Sequence, residues 1–347
     1  MSQQGTELIA EMPSAPARGV ETTAARPKTA QWRMLDAVVL AAIPAAAGVA
    51  LPVHFALGNQ GPTFGTHTYP MILCALLVAG IMGAIGAVIW PGARRWFIDR
   101  APLVAAAMLT MCVWELVTIK LGWLPLMYFP PPETVFQTLI DERGPLLDST
   151  WHSLMLLISG YFVGVLAGLC TGITIGWSSH ARYWGMPALK LIGPIPATAW
   201  IPTALVVFPQ TMAAGVFLIG LAVWFPVTML TASGVSNVRA SYLDVARTLG
   251  AGRLYLIFRV AIPAAMPSIF IGLFMGLGAS FLTLLVAEST GVSSGLGWYI
   301  DWARNYSDYN KVFAALMIMA IFFSTIMTLL FKVRDGVLVW QKGVIKW

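Results

Sequence analysis

Few side chains in this sequence could carry chemistry, and most of them lie far apart. The histidines and cysteines fall in separate segments: His54, His67, His152, His180, Cys74, Cys112 and Cys170. A metal site needs ligands at short, fixed spacings, which these residues lack. The sequence also has no G-x-x-x-x-G-K-[ST] loop, whose amides and lysine would hold a nucleotide phosphate. We therefore expect no catalytic residue, no metal ligand and no cofactor bound by this chain.

One stretch, YLDVARTLGAGRLYLIFRVAIPAAMP at 242–267, gathers charges around two glycines. Ser241 followed by Asp244 has the capping-box form, which predicts that a helix begins there. Gly250 can adopt the left-handed conformation that commonly ends a helix. The pattern therefore predicts a helix of about ten residues. An isolated helix shorter than about 12 to 15 residues is only marginally stable in water.

Leu243, Ala246 and Leu249 follow at spacing three and so share one face of this short helix. Such a helix needs a surface to lie against. That surface is either the rest of its own protein, which makes the segment a connector, or a partner protein. The neighbouring arginines, Arg247, Arg253 and Arg259, can pair with an acidic partner or anchor the loop at a membrane edge.

Composition shows that lipid is the solvent of this chain. Of its 347 residues 58% are hydrophobic and only 10% are charged, whereas a soluble domain has about 25% charged residues. Eight apolar stretches approach the roughly 20 residues that cross a bilayer as a helix, and they cover 35–56, 70–90, 101–121, 150–177, 188–208, 212–233, 264–287 and 312–331. We predict an all-α polytopic membrane protein with about eight transmembrane helices.

The basic residues indicate how the chain is oriented. Eight spans put both termini on one side, and most of the 21 Lys and Arg residues fall in the termini and the loops of that side. The positive-inside rule makes that side cytoplasmic. The net charge of +6 is then an orientation signal and not a sign of nucleic-acid binding. Residues 1–33 are polar, so we expect a disordered cytoplasmic tail and no secretory signal.

The fifth stretch, 188–208, differs from the others because prolines interrupt it and follow it directly. Irregular backbone is tolerated at membrane depth only where protein or a water-filled cavity surrounds it, and a broken helix exposes groups that can hold a solute. The alternative is a kinked packing helix. Charges within a span are also candidates, and Glu288 and Glu115 serve either a pathway or helix–helix bonding. The predicted pathway residues are Pro194, Pro196, Thr198, Trp200, Thr203 and Glu288.

The short helix and its surroundings resemble the signature loop of binding-protein-dependent ABC importer permeases. That family's pattern is Glu-Ala-Ala, three residues, Gly, nine residues, Ile-x-Leu-Pro. The spacing is kept here, with Asp for Glu, Val for Ala, Val for Ile and Ile for Leu, at Asp244, Val245, Ala246, Gly250, Val260, Ile262 and Pro263. Further segments resemble the nitrate, sulfonate and taurine type of permease: LPLMYFPPPETVFQTL at 124–139, LIGPIPATAWIPTALVVF at 191–208, and AEST and GLGWYIDWAR between 287 and 304.

The resemblance implies a six-helix permease domain over 101–347, with a coupling loop at 234–263. Residues 34–100 would then be two extra transmembrane helices. It also implies two ATP-binding-cassette ATPase subunits that hold ATP and Mg²⁺, a second permease chain expected to be identical, and an extracytoplasmic solute-binding protein, all at a bacterial cytoplasmic membrane. The residues that would couple to the ATPase are Ser241, Asp244, Ala246, Arg247, Leu249, Gly250, Gly252 and Pro263.

The solute stays open at this stage. The family often has an arginine just before its Pro-Ile-Pro, where this sequence has Gly193, and Lys190 could replace that charge or lie at the cytoplasmic edge. A small polar solute is expected, and an anion is only one option. Two other classes of membrane protein predict different patterns. An ion-gradient-driven transporter should show paired charges deep in its spans and an internal repeat, and the sequence shows neither. A membrane-embedded enzyme needs a catalytic constellation, against which the scattered histidines argue.

Overall fold

A computed structural model of the chain describes residues 30–60 and 67–341. Within these ranges every regular element is a helix. Residues 1–29 of the predicted tail lie outside the described residues.

The helices follow one another along the chain with short connections. In chain order they are α1 Ala30–Ala56, α2 Thr68–Ile89, α3 Pro91–Glu115, α4 Pro132–Asp141, α5 Arg143–Trp177, α6 Ser179–Ile192, α7 Ile201–Val207, α8 Thr211–Ser236, α9 Ala240–Thr248, α10 Arg253–Tyr255, α11 Ile262–Thr290, α12 Leu296–Asn305 and α13 Tyr309–Val337. Wider π-helical turns cover Leu116–Lys120 and Leu256–Ala261, and 3₁₀ turns cover Ala197–Trp200 and Val339–Gln341.

The predicted polytopic, all-helical architecture is confirmed. Seven helical stretches in the described ranges are long and apolar enough to cross a membrane: Val38–Ala56, Thr68–Ile89, Trp96–Lys120, Arg143–Trp177, Thr211–Ser236, Arg253–Thr290 and Tyr309–Val337. The eighth predicted span, 188–208, is not one helix. Ser179–Ile192 and Ala197–Val207 meet at an angle of 84°, because two prolines at the junction, Pro194 and Pro196, cannot continue the backbone ladder.

The seventh predicted span is longer than the sequence suggested. We predicted 264–287, but the helical stretch begins at Arg253. Pro263 occupies the first turn of α11 all the same. The π-helical turn just before it, in which the amide of Ile262 donates to the carbonyl of Ile257, widens the backbone where a proline would otherwise clash with the preceding turn.

The described chain divides into two compact units. One unit comprises residues 30–49 and 75–109, in which Ile43 lies against Gly80 and Phe97 against Gly83. The other comprises 50–60, 67–74 and 110–341, and it contains α4 to α13. The division of the chain at residues 100 and 101 stays a prediction.

A line of glycines on α5 fixes the core of the larger unit. Five of them recur at every fourth residue and are buried: Gly160, Gly164, Gly168, Gly172 and Gly176. A Cβ on any of them would lie 2.5–2.8 Å from an atom of α8, such as the carbonyl oxygen of Gly220 or the Cβ of Val227. The backbones of α5 and α8 are therefore in direct contact, as small residues permit in membrane proteins.

Lys120 joins the end of α3 to the segment that follows α1. Its ammonium group is buried and donates to the carbonyl oxygens of His54 and Leu57, at 2.6 and 2.8 Å, and to Oδ1 of Asn59 at 2.8 Å. These three bonds use all three of its donors. Nearby, Nδ1 of His54 lies 2.7 Å from Oε1 of Glu115, so this acid bonds between helices.

The glycine line leads to a stability prediction. Gly164→Ala places a methyl group 2.5 Å from the carbonyl oxygen of Gly220, and such overpacking costs about 1–3 kcal/mol. Thermal unfolding of the purified chain in detergent, followed by intrinsic fluorescence, should show a lower Tm. Gly278→Ala on α11 is the matched control, because a Cβ there meets no atom within 4 Å. An equal loss in both variants would contradict the close α5–α8 contact.

Candidate functional site

The first candidate site is the α9 loop, residues 239–252. Helix α9 begins at Ala240, and Arg239 is the N-cap residue, without a side-chain cap. The predicted capping box of Ser241 and Asp244 is therefore wrong. The helix starts one residue before Ser241, and the carboxylate of Asp244 instead accepts a hydrogen bond from Nη1 of Arg247 at 3.0 Å.

The predicted end of this helix is confirmed. Gly250 has a φ of +82°, in the left-handed region that glycine adopts without steric cost. Its amide donates to the carbonyl of Arg247 at 2.9 Å, and the amide of Ala251 donates to that of Ala246 at 3.0 Å. This pair of bonds is the Schellman motif.

The exposed face of α9 is apolar. Tyr242, Val245 and Leu249 lie at helical spacing and are 52%, 61% and 83% exposed. Leu243 and Ala246, two of the three residues on the predicted face, are only half-buried. A groove of about 490 Å³ runs along this loop, and its wall includes Arg259. The helix thus presents an apolar stripe that the described chain leaves uncovered.

The arginines around the loop do not act as one group. Arg247 and Arg253 line a second pocket, of about 610 Å³, together with Arg182. Arg182 also donates to the carbonyl oxygens of Ile175 and Gly176, which are among the unpaired carbonyls at the C-terminal end of α5. Among the residues that line this pocket none is acidic.

The second candidate site is a cavity at the helix break between α6 and α7. It has a volume of about 400 Å³. Of the predicted pathway residues, three line it: Pro196, Thr198 and Trp200. Pro194 and Thr203 are exposed and do not line the cavity.

The sequence analysis did not anticipate the walls that α8 and α11 contribute. Trp224 and Phe225 come from α8, and Met275 and Thr283 from α11. The one signal in the sequence was Pro226, a proline inside an apolar span that also lines the cavity. Apolar side chains on one span do not otherwise reveal which of them face a cavity.

Glu288 does not line the cavity either, and its carboxylate is satisfied by the start of α12. Oε1 accepts from the hydroxyl of Ser153 at 2.6 Å, and Oε2 accepts from the amide of Gly297 at 2.7 Å. The amide of Leu296 donates to the same hydroxyl at 2.8 Å. Gly295 has a φ of +106°, and a Cβ there would lie 2.3 Å from the carboxylate. Glu288 therefore caps α12 and links it to α5 and α11.

A smaller polar group ties α12 to the turn between α4 and α5. The ammonium group of Lys311 lies 2.7 Å from Oε1 of Glu142, and the hydroxyl of Tyr299 donates to Oε2 of the same acid at 3.5 Å. Burial, with the negative charge of Glu142 as a second cause, raises the pKa of the Tyr299 hydroxyl. This side chain thus stays neutral and remains a hydrogen-bond donor.

Comparisons with known proteins give one consistent result. Residues 160–336 match the family described as "Binding-protein-dependent transport system inner membrane component". The chain is 31% identical over 239 residues to the "Taurine transport system permease protein TauC" of Escherichia coli (strain K12), covering 67% of this chain and 85% of that protein. It is 32% identical over 233 residues to the "Putative aliphatic sulfonates transport permease protein SsuC" of Bacillus subtilis (strain 168), covering 67% and 83%.

A third relative has another solute in its name. The "Nitrate import permease protein NrtB" of Leptolyngbya laminosa is 32% identical over 169 residues, which cover 49% of this chain and 61% of that protein.

The turn at Gly250 leads to a prediction about the order of α9. Gly250→Ala forces a side chain into the left-handed region at a cost of about 1 kcal/mol, so the last turn of α9 should open more often. Hydrogen exchange of amides 245–251 should then be faster than in the unsubstituted chain. Gly252→Ala is the control, because Gly252 has a φ of −73° and free space around it. Equal exchange rates in the two variants would contradict the proposed turn.

The cap on α12 leads to a second prediction. Ser153→Ala removes the group that bonds both Glu288 and the amide of Leu296, and buried groups left unpaired cost about 1–3 kcal/mol. We expect faster hydrogen exchange over 292–300 and a lower Tm. Ser159→Ala, at a half-buried serine of the same helix whose hydroxyl bonds the carbonyl of Met155 in that helix, should change neither. An unchanged exchange rate in Ser153→Ala would show that the cap is not formed.

Proposed function

The chain belongs to the family of binding-protein-dependent transport system inner membrane components, and from this premise we propose how it moves a solute. It is a multi-pass membrane protein and a permease subunit of an ABC importer. We infer that its α9 loop connects it to separate ATPase subunits. The observation that carries this proposal is the uncovered apolar stripe of Tyr242, Val245 and Leu249 on a helix of nine residues.

The physical argument for coupling is that α9 is both short and firmly ended. A free nine-residue helix is marginal in water, and three large apolar side chains on its outer face gain from burial in a partner's groove. The Schellman turn at Gly250 and the half-buried Leu243 hold the helix in place, so a movement of the partner is passed on to α8 and α11. In this proposal two ATPase subunits bind ATP and Mg²⁺ and come together. Two permease chains, taken to be identical, then change from the inward-facing to the outward-facing conformation.

The translocation path is proposed to run by the break between α6 and α7. Residues Pro196, Thr198 and Trp200 face the cavity there, and the broken backbone offers polar groups at membrane depth. An extracytoplasmic solute-binding protein would deliver the solute. The distribution of basic residues supports cytoplasmic termini and a cytoplasmic α9 loop in a bacterial inner membrane. This orientation requires the bent pair to cross the membrane as one span.

The solute is proposed to be small, because the cavity holds about 400 Å³. The relatives are named for taurine, aliphatic sulfonates and nitrate. Those names set the range of solutes to test first and do not fix the solute of this chain.

A surface substitution on α9 tests the coupling. Leu249→Glu puts a charge on the most exposed residue of the proposed contact, at its C-terminal end, and breaks no packing within the described chain, since Leu249 is 83% exposed. When the chain is co-expressed with its candidate ATPase subunit and purified by a tag on the permease, the variant should retain about a tenth or less of the ATPase, as expected for burying an unpaired charge. ATP hydrolysis in proteoliposomes should fall in proportion.

Ala240→Glu is the matched control for this experiment. It adds the same charge on the opposite side of the same helix, at an exposed position in the first turn where an acid is favourable. Co-purification equal to that of the unsubstituted chain is expected. If Leu249→Glu also retains the ATPase in full, the apolar stripe is not the contact and the coupling proposal fails.

A further inference from the structure

Of the described residues that line the cavity at the helix break, none has a charged side chain. Its wall is built from aromatic rings, prolines, aliphatic side chains and two threonine hydroxyls, with Trp200, Trp224 and Phe225 as the rings. Lys190, which the sequence offered as a replacement for a family arginine, is exposed and does not line the cavity. An anion entering this space would therefore lose its hydration without gaining a cationic partner, which is costly.

At residue 193, where the resembling family often has an arginine, this chain has Gly193, and the ring of Phe225 fills the space beside it. A Cβ on Gly193 would lie 2.0 Å from Cε2 and 2.2 Å from Cζ of Phe225, and 2.8 Å from the carbonyl oxygen of Leu189. No side chain fits at residue 193 while Phe225 keeps its place. Gly193 and Phe225 thus form a matched pair in which a ring occupies the space that an arginine would need.

The polar groups that remain are mostly hydrogen-bond acceptors. Pro194 and Pro196 have no amide hydrogen, so carbonyl oxygens outnumber amide donors at the break. The hydroxyl of Thr283 donates to the carbonyl of Ala279, which leaves its lone pairs to accept. Nε1 of Trp224 already donates to Oγ1 of Thr171. Against these stand Nε1 of Trp200, which is buried without an acceptor among the described residues, the hydroxyl of Thr198 and the first amides of the 3₁₀ turn that begins at Ala197.

Acceptors and aromatic faces favour a solute with N–H groups. The faces of tryptophan and phenylalanine attract cations, and three such rings line the cavity. On the premise of the proposed function, we propose that the solute crosses as an uncharged or cationic amine on a compact apolar body, and not as a free anion such as a sulfonate or nitrate.

The test compares three radiolabelled probes of one size and different charge. Benzylammonium, benzamide and benzenesulfonate are offered to the full chain in nanodiscs, and binding is measured by scintillation proximity. We expect benzylammonium or benzamide to bind about tenfold or more tightly than benzenesulfonate. Phe225→Ala should weaken benzylammonium about threefold or more, whereas Phe217→Ala, on the same helix but outside the cavity, should leave it unchanged.

A double variant reverses the charge of the site. Gly193→Arg together with Phe225→Ala replaces the ring by a guanidinium group, so benzenesulfonate should become the preferred probe. Three results would overturn the proposal: benzenesulfonate binding as tightly as the other probes to the unsubstituted chain, no binding of any probe, or an unchanged order in the double variant. These results are independent of ATPase co-purification, so the solute class and the coupling proposal can fail separately.

Discussion

The contact between α5 and α8 is the one on which both candidate sites depend. Five glycines on α5 let the two backbones touch from Gly160 to Gly176, and any Cβ there would enter the space of an α8 atom. Helix α8 carries Trp224 and Phe225 in the cavity wall and continues through Arg239 into α9. A movement of α8 would therefore carry α5, the cavity wall and the loop together. Close packing of this kind makes a helix pair behave as one body.

The break between α6 and α7 combines two features that would each be unfavourable alone. The interrupted backbone needs hydrogen-bond partners, and the uncharged aromatic wall provides few such partners. Together they make a cavity that is selective by shape and by hydrogen-bond acceptors. Relatives named for anions share the family but need not share this wall. Phe225 and Gly193 keep one place in this wall uncharged, because the ring occupies the space that a side chain at residue 193 would need.

Apolar length predicted the spans, because crossing a bilayer imposes a fixed length on a helix. Gly250 was predictable for a similar reason, since few other residues tolerate its φ of +82°. The capping box was not, because the N-cap lies two residues earlier, at Arg239, than the one that Ser241 would form, and the sequence defines helix ends only to within one or two residues. The contacts of Glu288 and Phe225 could not be predicted from the sequence. Their partners lie on other helices, at Ser153 and Gly193, and no local pattern in the sequence encodes such a contact.

Lys120 bears on where this membrane protein could be divided. Its three hydrogen bonds all go to residues 54–59, so a shortened chain that began at residue 101 would lose all three acceptors. A buried donor left without its acceptor costs about 1–3 kcal/mol, and more when the donor is charged. Residues 50–60 and 67–74 belong to the same compact unit as residues 110–341. A cut at residue 101 would therefore divide one packed body and not separate two.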